Sequence, residues 1–223
     1  MARPRVTLKL ATSLDGKIAL ANGASEWITG DAARAAGRAL RAAHDAICVG
    51  ANTAHLDNPQ LTARISGKPD PVRVIFDSRA RLSPKSNLAQ SARQVPVVLF
   101  CNEGAQDKAE PLTDLGVTVL PIGVNGRGLD IEAALQILHR RGIESLLVEG
   151  GGQLAASFVT LGAVDRIEWF RAPMILGSDG RDAIGSVGGP LGLETMDKAY
   201  RFTRVNLAEI GDDIHESYER VAR

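Results

Sequence analysis

Cysteine is almost missing: Cys48 and Cys101 are the only two in 223 residues. Both lie in apolar runs, AICVG and VVLFC, where a thiol serves as a small buried hydrophobe, so neither a disulfide framework nor a cysteine-based zinc site is expected. The four histidines (His44, His55, His139, His215) form no H-x-E, H-E-x-x-H or H-x-H pattern, and no P-C-x-x-C occurs. Metal hydrolase and zinc deaminase chemistry therefore lack ligands, and no metal is expected. An excess of one charge is missing too, because 26 Lys+Arg balance 26 Asp+Glu. Such a chain has no long-range field to gather polyanions, which argues against nucleic acid or an anionic membrane as partner and makes any phosphate recognition local. No apolar run approaches the ~18 residues of a membrane span. The opening MARPRVTLKL enters a strand pattern without a signal peptide's apolar core and small-residue cleavage site, so a cytoplasmic protein is expected. Neither a G-x-S-x-G elbow nor a G-x-x-x-x-G-K-[ST] loop is present, against hydrolase and P-loop readings.

What is present alternates between strand and helix. Residues 5–12 alternate as a half-buried strand with Thr7, Lys9 and Ala11 on one face, and Ser13-Leu14-Asp15-Gly16-Lys17 supplies a turn in which Asp-Gly favours positive φ. An Ala- and Arg-rich helix is predicted over 31–43 and a short buried strand over 46–49. A polar loop covers 52–71. Further strands are predicted at 72–76, 96–101, 117–121 and 145–148, with helices at 107–115, 130–140 and 152–161. Uninterrupted apolar strands separated by helices argue for a largely parallel sheet covered on both faces. The last third differs, since strands at 167–172 and 200–209 are followed by a Gly211-Asp212-Asp213 turn and a strand at 214–221, an antiparallel hairpin. The glycine-rich stretch 177–193 is the best candidate for a mobile loop. With no repeat or linker, a single domain over 1–223 is the simplest account.

Four segments carry chemistry. Ser145-Leu-Leu-Val-Glu149-Gly150-Gly151-Gly152-Gln153 is an apolar strand, three glycines and a helix start, either a phosphate site or a plain tight turn. Glu149 stands where α/β sheets place ligands, or caps a neighbouring helix. The strand at 72–76 runs into Asp77-Ser78-Arg79-Ala80-Arg81, donors suited to a 2′-phosphate, or a solvated charged turn. The loop 51–64 is dense in hydrogen-bonding groups, and Asp57-Asn58-Pro59 also fits an Asx turn. Finally, Gly23-Ala24-Ser25-Glu26-Trp27-Ile28-Thr29-Gly30 sets one of two tryptophans among hydroxyls, where it serves a ligand or the core.

Taken in order, Lys9-Leu-Ala-Thr-Ser-Leu-Asp-Gly-Lys17, Ser25-Glu-Trp-Ile-Thr-Gly30, Asp45-Ala-Ile-Cys-Val-Gly50, Thr53-Ala-His-Leu-Asp-Asn-Pro-Gln-Leu-Thr-Ala-Arg64 and Glu149-Gly-Gly-Gly152 resemble the reductase of riboflavin biosynthesis. That family is usually the carboxyl-terminal half of a bifunctional deaminase/reductase and lies within the dihydrofolate-reductase-like superfamily. The resemblance implies an α/β fold, a mixed and mostly parallel sheet flanked by helices with a C-terminal antiparallel hairpin. It also implies a homodimer that reduces 5-amino-6-(5-phosphoribosylamino)uracil with NADPH. Cofactor contacts implied by motif position are Ala11, Trp27, Thr53, Asp57, Ser78, Gly151, Gly152, Gln153, Leu154, Ala155, Ala156 and Ser157. Implied substrate contacts are Lys9, Ser25, Arg41, Leu61, Arg64 and Glu149, with Lys9 and Glu149 bracketing the reacting carbon. For Lys9 the rival is a solvent-facing strand residue; for Arg41, a solvated stripe shared with Arg34 and Arg38. Two other functions stay open: a pteridine or dihydrofolate reductase of the same fold, and a non-catalytic NADPH-binding protein.

Overall fold

A computed structural model of the chain describes residues 2–26, 28–126, 128–187 and 192–221. Trp27 and part of the 177–193 stretch thus lie outside the described residues. In chain order the elements are β1 (Arg5–Thr12), β2 (Lys17–Ala19), α1 (Asp31–Ala42), β3 (Ala46–Gly50), α2 (Ala51–Leu56), β4 (Val72–Phe76), α3 (Asn87–Gln90), β5 (Val97–Asn102), α4 (Glu110–Asp114), β6 (Thr118–Ile122), β7 (Val124–Asn125), β8 (Gly128–Leu129), α5 (Ile131–Arg140), β9 (Ser145–Val148), α6 (Gly152–Thr160), β10 (Arg166–Arg171), β11 (Arg181–Asp182), β12 (Phe202–Ile210) and β13 (Asp213–Arg220). They divide between two compact units.

The first unit comprises Met1–Arg5 and Arg38–Val148. Its sheet runs β9-β3-β4-β5-β6, and every pairing is parallel. The runs AICVG, VRVIF and VVLFC are buried almost throughout, as expected of strands covered on both faces. Ile47, Val49, Ile75, Leu99 and Leu147 from the strands pack with Leu88 and Leu112 in one apolar cluster. Both thiols, Cys48 and Cys101, are buried as the apolar runs imply, Cys101 within this cluster. Helix α5 buries Ile131, Ala134, Leu135 and Leu138, a single stripe at helical spacing, and Asp130 caps it by accepting from the Ala133 amide.

The second unit comprises Val6–Gly37 and Glu149–Arg223. Here β1 pairs parallel with β10, while β10 pairs antiparallel with β13 and β13 with β12. Gly211, at φ +65°, makes the β12–β13 turn, a left-handed position that suits glycine. The fold class is the expected one: α/β, mixed and mostly parallel, helices on the strands, and a C-terminal antiparallel hairpin.

Several elements depart from expectation. The loop predicted from residue 52 opens with helix α2, whose capping position Gly50 has extended backbone. The helix predicted over 107–115 is a 3-10 segment, Glu103–Ala109, followed by α4. Pro111 lacks an N–H and fits only a first helical turn, so the α-helix starts beside it. The stretch 177–193 contributes β11, which pairs with β2.

Candidate active site

In the second unit Lys9 lies on β1 in register with Glu168 of β10. Alternation turns Thr7, Lys9 and Ala11 to one face together with Arg166, Glu168 and Phe170. Lys9 is half-buried there. Its Nζ stands 5.9 Å from the Phe170 ring centroid, and a Cβ added at Gly37 of α1 would meet its Cε at 3.7 Å. The solvent-facing alternative for Lys9 is thus not what the structure contains. Phe170 stacks on His215 of β13 with centroids 4.3 Å apart and planes 4° from parallel.

Behind this row is a polar network that the motifs did not point to. The buried Glu168 carboxylate accepts from Ser217 Oγ at 2.6 Å, lies 2.7 Å from His215 Nε2 and takes a further bond from Arg166 Nε. Burial pushes the Glu168 carboxyl up, but the bonds from His215, Ser217 and Arg166 outweigh it and bring the group down to about 2. Strand alternation carries the signal: Arg166 and Glu168 of β10 share a face with His215 and Ser217 of β13, whereas Arg171 and Glu216 fall on the other.

The turn after β1 is built as expected. Gly16 takes φ +76°, and Asp15 accepts from Ser13 Oγ at 2.5 Å and from the Leu176 and Gly177 amides. The Ser13 bond is the main reason that the Asp15 carboxyl sits at about 2.

Glu149 directly follows β9 and is half-buried. Gly151, at φ +78°, is the N-cap of α6. The reason for glycine at 152 is internal: a Cβ there would stand 2.3 Å from the Asp182 carbonyl oxygen, and Gly185 N–H donates to the Gly152 carbonyl at 2.9 Å. The run therefore approaches its own chain on one side. Among the described residues the amides of Gly152, Gln153 and Leu154, in the first turn of α6, have no acceptor, whereas Ala155 N–H already bonds Gly151. Those three donors and the positive helix end suit an anion. Farther along, Ala155 and Ala156 are buried in the core and Ser157 Oγ donates to the Gln153 carbonyl. Ser25 is exposed.

In the first unit the loop after α2 has an unusual backbone. Asn58, Leu61 and Arg64 take φ of +39°, +56° and +54°, left-handed positions that cost a side chain strain. Neighbours capture its main chain on several sides. Asn87 bonds both the side chain and the carbonyl of Asn58, Arg73 reaches the Gln60 carbonyl, and Asp70 accepts from Ala63 N–H at 2.7 Å. Arg41 Nη1 donates to the Thr62 carbonyl at 3.2 Å. Arg41 is thus tied to this loop and is not part of a solvated stripe, whereas Arg34 bonds Thr29 and Asp31. Leu61 is buried and Arg64 exposed. Thr53 is half-buried on α2, and Asp57 follows as its C-cap.

The loop after β4 turns around Asp77. This buried carboxylate accepts from the amides of Arg79, Arg81 and Leu82. Ser78, Arg79 and Arg81 are left exposed at its rim. Among the described residues no helix is long and apolar enough to cross a membrane.

A family model described as the RibD C-terminal domain matches residues 4–215. The chain belongs to that family. Among its relatives are a riboflavin biosynthesis protein RibD of Actinobacillus pleuropneumoniae, 36% identical over 97% of this chain and 57% of that protein, and a 2,5-diamino-6-ribosylamino-4(3H)-pyrimidinone 5′-phosphate reductase of Methanothermobacter thermautotrophicus, 38% identical over 97% and 98%. Of solved structures, Acinetobacter baumannii RibD superposes with a TM-score of 0.82 at 31% identity, covering 99% of this chain and 59% of that one. A Thermotoga maritima deaminase/reductase gives 0.80 at 31%, covering 98% and 57%. The chain spans a little over half the length of the RibD proteins that it matches. The family named by the sequence motifs is therefore the right one.

Proposed function

We propose that the chain reduces 5-amino-6-(5-phosphoribosylamino)uracil to 5-amino-6-(5-phosphoribitylamino)uracil with NADPH. The observation that carries this reading is the end-to-end similarity to the Methanothermobacter reductase, a protein of matching extent named for the reduction of a phosphorylated ribosylaminopyrimidine. NADPH supplies the hydride. The amides of Gly152, Gln153 and Leu154, without an acceptor among the described residues, fit its diphosphate, and exposed Ser78, Arg79 and Arg81 fit a 2′-phosphate. Ala11, Trp27, Thr53, Asp57 and the rest of residues 151–157 are the further cofactor contacts in this reading.

The substrate's C1′ accepts the hydride once the ribosyl ring has opened to an imine. Glu149 favours the cationic iminium form, and Lys9, its Nζ 5.9 Å from the Phe170 ring centroid, donates to a sugar hydroxyl. Arg64 grips the 5′-phosphate, for which a fork of donors is better suited than an ammonium. Arg41 joins Arg64 in clamping the 5′-phosphate, with one Nη1–H also held by the Thr62 carbonyl. Leu61 and Ser25 are the remaining substrate contacts. The reading includes one reductase domain over 1–223 and a cytoplasmic homodimer, for which the exposed edge strand β12 offers a pairing surface.

The test compares NADPH consumption with the phosphorylated and the dephosphorylated pyrimidine. Turnover of the phosphorylated form, lost in Glu149→Gln, is expected. Turnover of a dihydropterin instead would favour a pterin reductase, and tight NADPH binding without turnover a binding protein.

A further inference from the structure

Arg73, in the middle of the first unit's sheet, is fully buried. Its Nη1 donates to Ser91 Oγ at 2.7 Å and to the Gln60 carbonyl at 3.3 Å, and its Nη2 donates to the carbonyls of Ser91, at 3.0 Å, and Val95. Its Nε has no partner among the described residues. Among the described residues no carboxylate forms an ion pair with it. Burial draws the guanidinium down to about 10, and Asp70, acting at longer range, pulls the other way. A buried cation with no paired anion is costly, and on a strand reading VRVIF an aliphatic side chain would satisfy the core at no such cost.

What the cation does there is join two segments that no strand pairing connects. One is 91–95, which leads into β5. The other is the left-handed loop, which it meets at Gln60, immediately before Leu61 and four residues before Arg64. The other captures of that loop, by Asn87, Arg41 and Asp70, come from half-buried or exposed side chains that water can replace. Arg73 stands where water does not reach, and only a planar fork can serve both segments at once.

We propose that Arg73 is a positioning residue: by holding the Gln60 carbonyl to the 91–95 segment it keeps Leu61 and Arg64 in their left-handed conformations, and so sets where the Arg64 guanidinium meets the substrate's phosphate. The last step rests on the proposed reductase function; the loop restraint does not.

Two variants of the full chain, Arg73→Lys and Arg73→Met, test it with two readouts. In turnover assays, Arg73→Met raises KM for the phosphorylated pyrimidine about tenfold, the scale of one lost hydrogen bond to a charged group, while kcat and KM for NADPH stay within about twofold. Arg73→Lys, which keeps the charge and loses the fork, is intermediate. In limited trypsin digestion without ligands, cleavage after Arg64 accelerates in both variants relative to cleavage after exposed Arg79, at temperatures where the fold is intact. An unchanged KM with a lowered thermal midpoint, or equal acceleration at Arg64 and Arg79, overturns the proposal, and Arg73→Lys supplies both readouts should Arg73→Met not fold. If the wild-type protein fails to turn over the pyrimidine, the reductase reading falls instead, and the cleavage ratio still decides whether Arg73 restrains the loop.

Discussion

Arg41 and Thr62 are joined by a hydrogen bond from Nη1 to the main-chain carbonyl, 3.2 Å long, two residues ahead of Arg64. One arginine thereby holds the backbone that presents the other. Their alanine variants separate the two roles. Arg64→Ala removes an exposed side chain and is expected to raise KM for the phosphorylated substrate about tenfold or more with no change in the thermal midpoint. Arg41→Ala removes one of several bonds that hold the loop, so it lowers the midpoint slightly and raises KM less than Arg64→Ala does. Steady-state kinetics and calorimetry on both variants check the pair.

Gly152→Ala places a methyl group 2.3 Å from the Asp182 carbonyl oxygen, which is backbone and cannot swing away. A loss of about 1–3 kcal/mol, the usual range for overpacking, is expected in denaturant unfolding. NADPH affinity falls with it as the first turn of α6 shifts. An alanine variant as stable as the parent would mean that the 182–185 segment moves aside freely.

Asp77→Ala leaves the amides of Arg79, Arg81 and Leu82 without their shared acceptor. The expected stability cost is about 2 kcal/mol. If Ser78 and the exposed arginines of the same loop hold a 2′-phosphate as proposed, the ratio of KM for NADH to KM for NADPH falls in the variant.

Acid stability tests the network beside Lys9. The folded Glu168 carboxyl, at about 2, lies below its ordinary 4.5, so its contribution is fully present above about 4.5 and is lost as pH falls towards about 2. Glu168→Gln should therefore be less stable at neutral pH and show a shallower fall of thermal midpoint across that window. Asp15 and Asp45, also held low, keep some slope in the variant. An unaltered slope would contradict the assignment.

Strands were the most legible part of the chain. The apolar runs at 46–49, 72–76 and 145–148 are continuous because both sheet faces are covered, and Asp-Gly at 15–16 marks its turn through Gly16's positive φ. Helix α2 was hidden because its residues, ANTAHL, have mixed propensities and no side chain caps its start. Two-residue strands such as β11 are set by their partners and carry no period of their own. At the candidate site, the motifs named Lys9, Arg64 and Glu149. They could not disclose that Arg41 is turned onto a carbonyl, or that Arg73 is buried, since both depend on which loop returns beside which strand. Glu168 was the nearest miss, readable from alternation once β10 and β13 are paired.

The most direct test is isotopic. The protein is incubated with 5-amino-6-(5-phosphoribosylamino)uracil and NADPH deuterated at the transferable position, and the product is examined by mass spectrometry and NMR. A single deuterium on C1′ of an opened ribityl chain is the predicted result. Deuterium in the pyrimidine ring, or no NADPH consumed at all, would contradict the account.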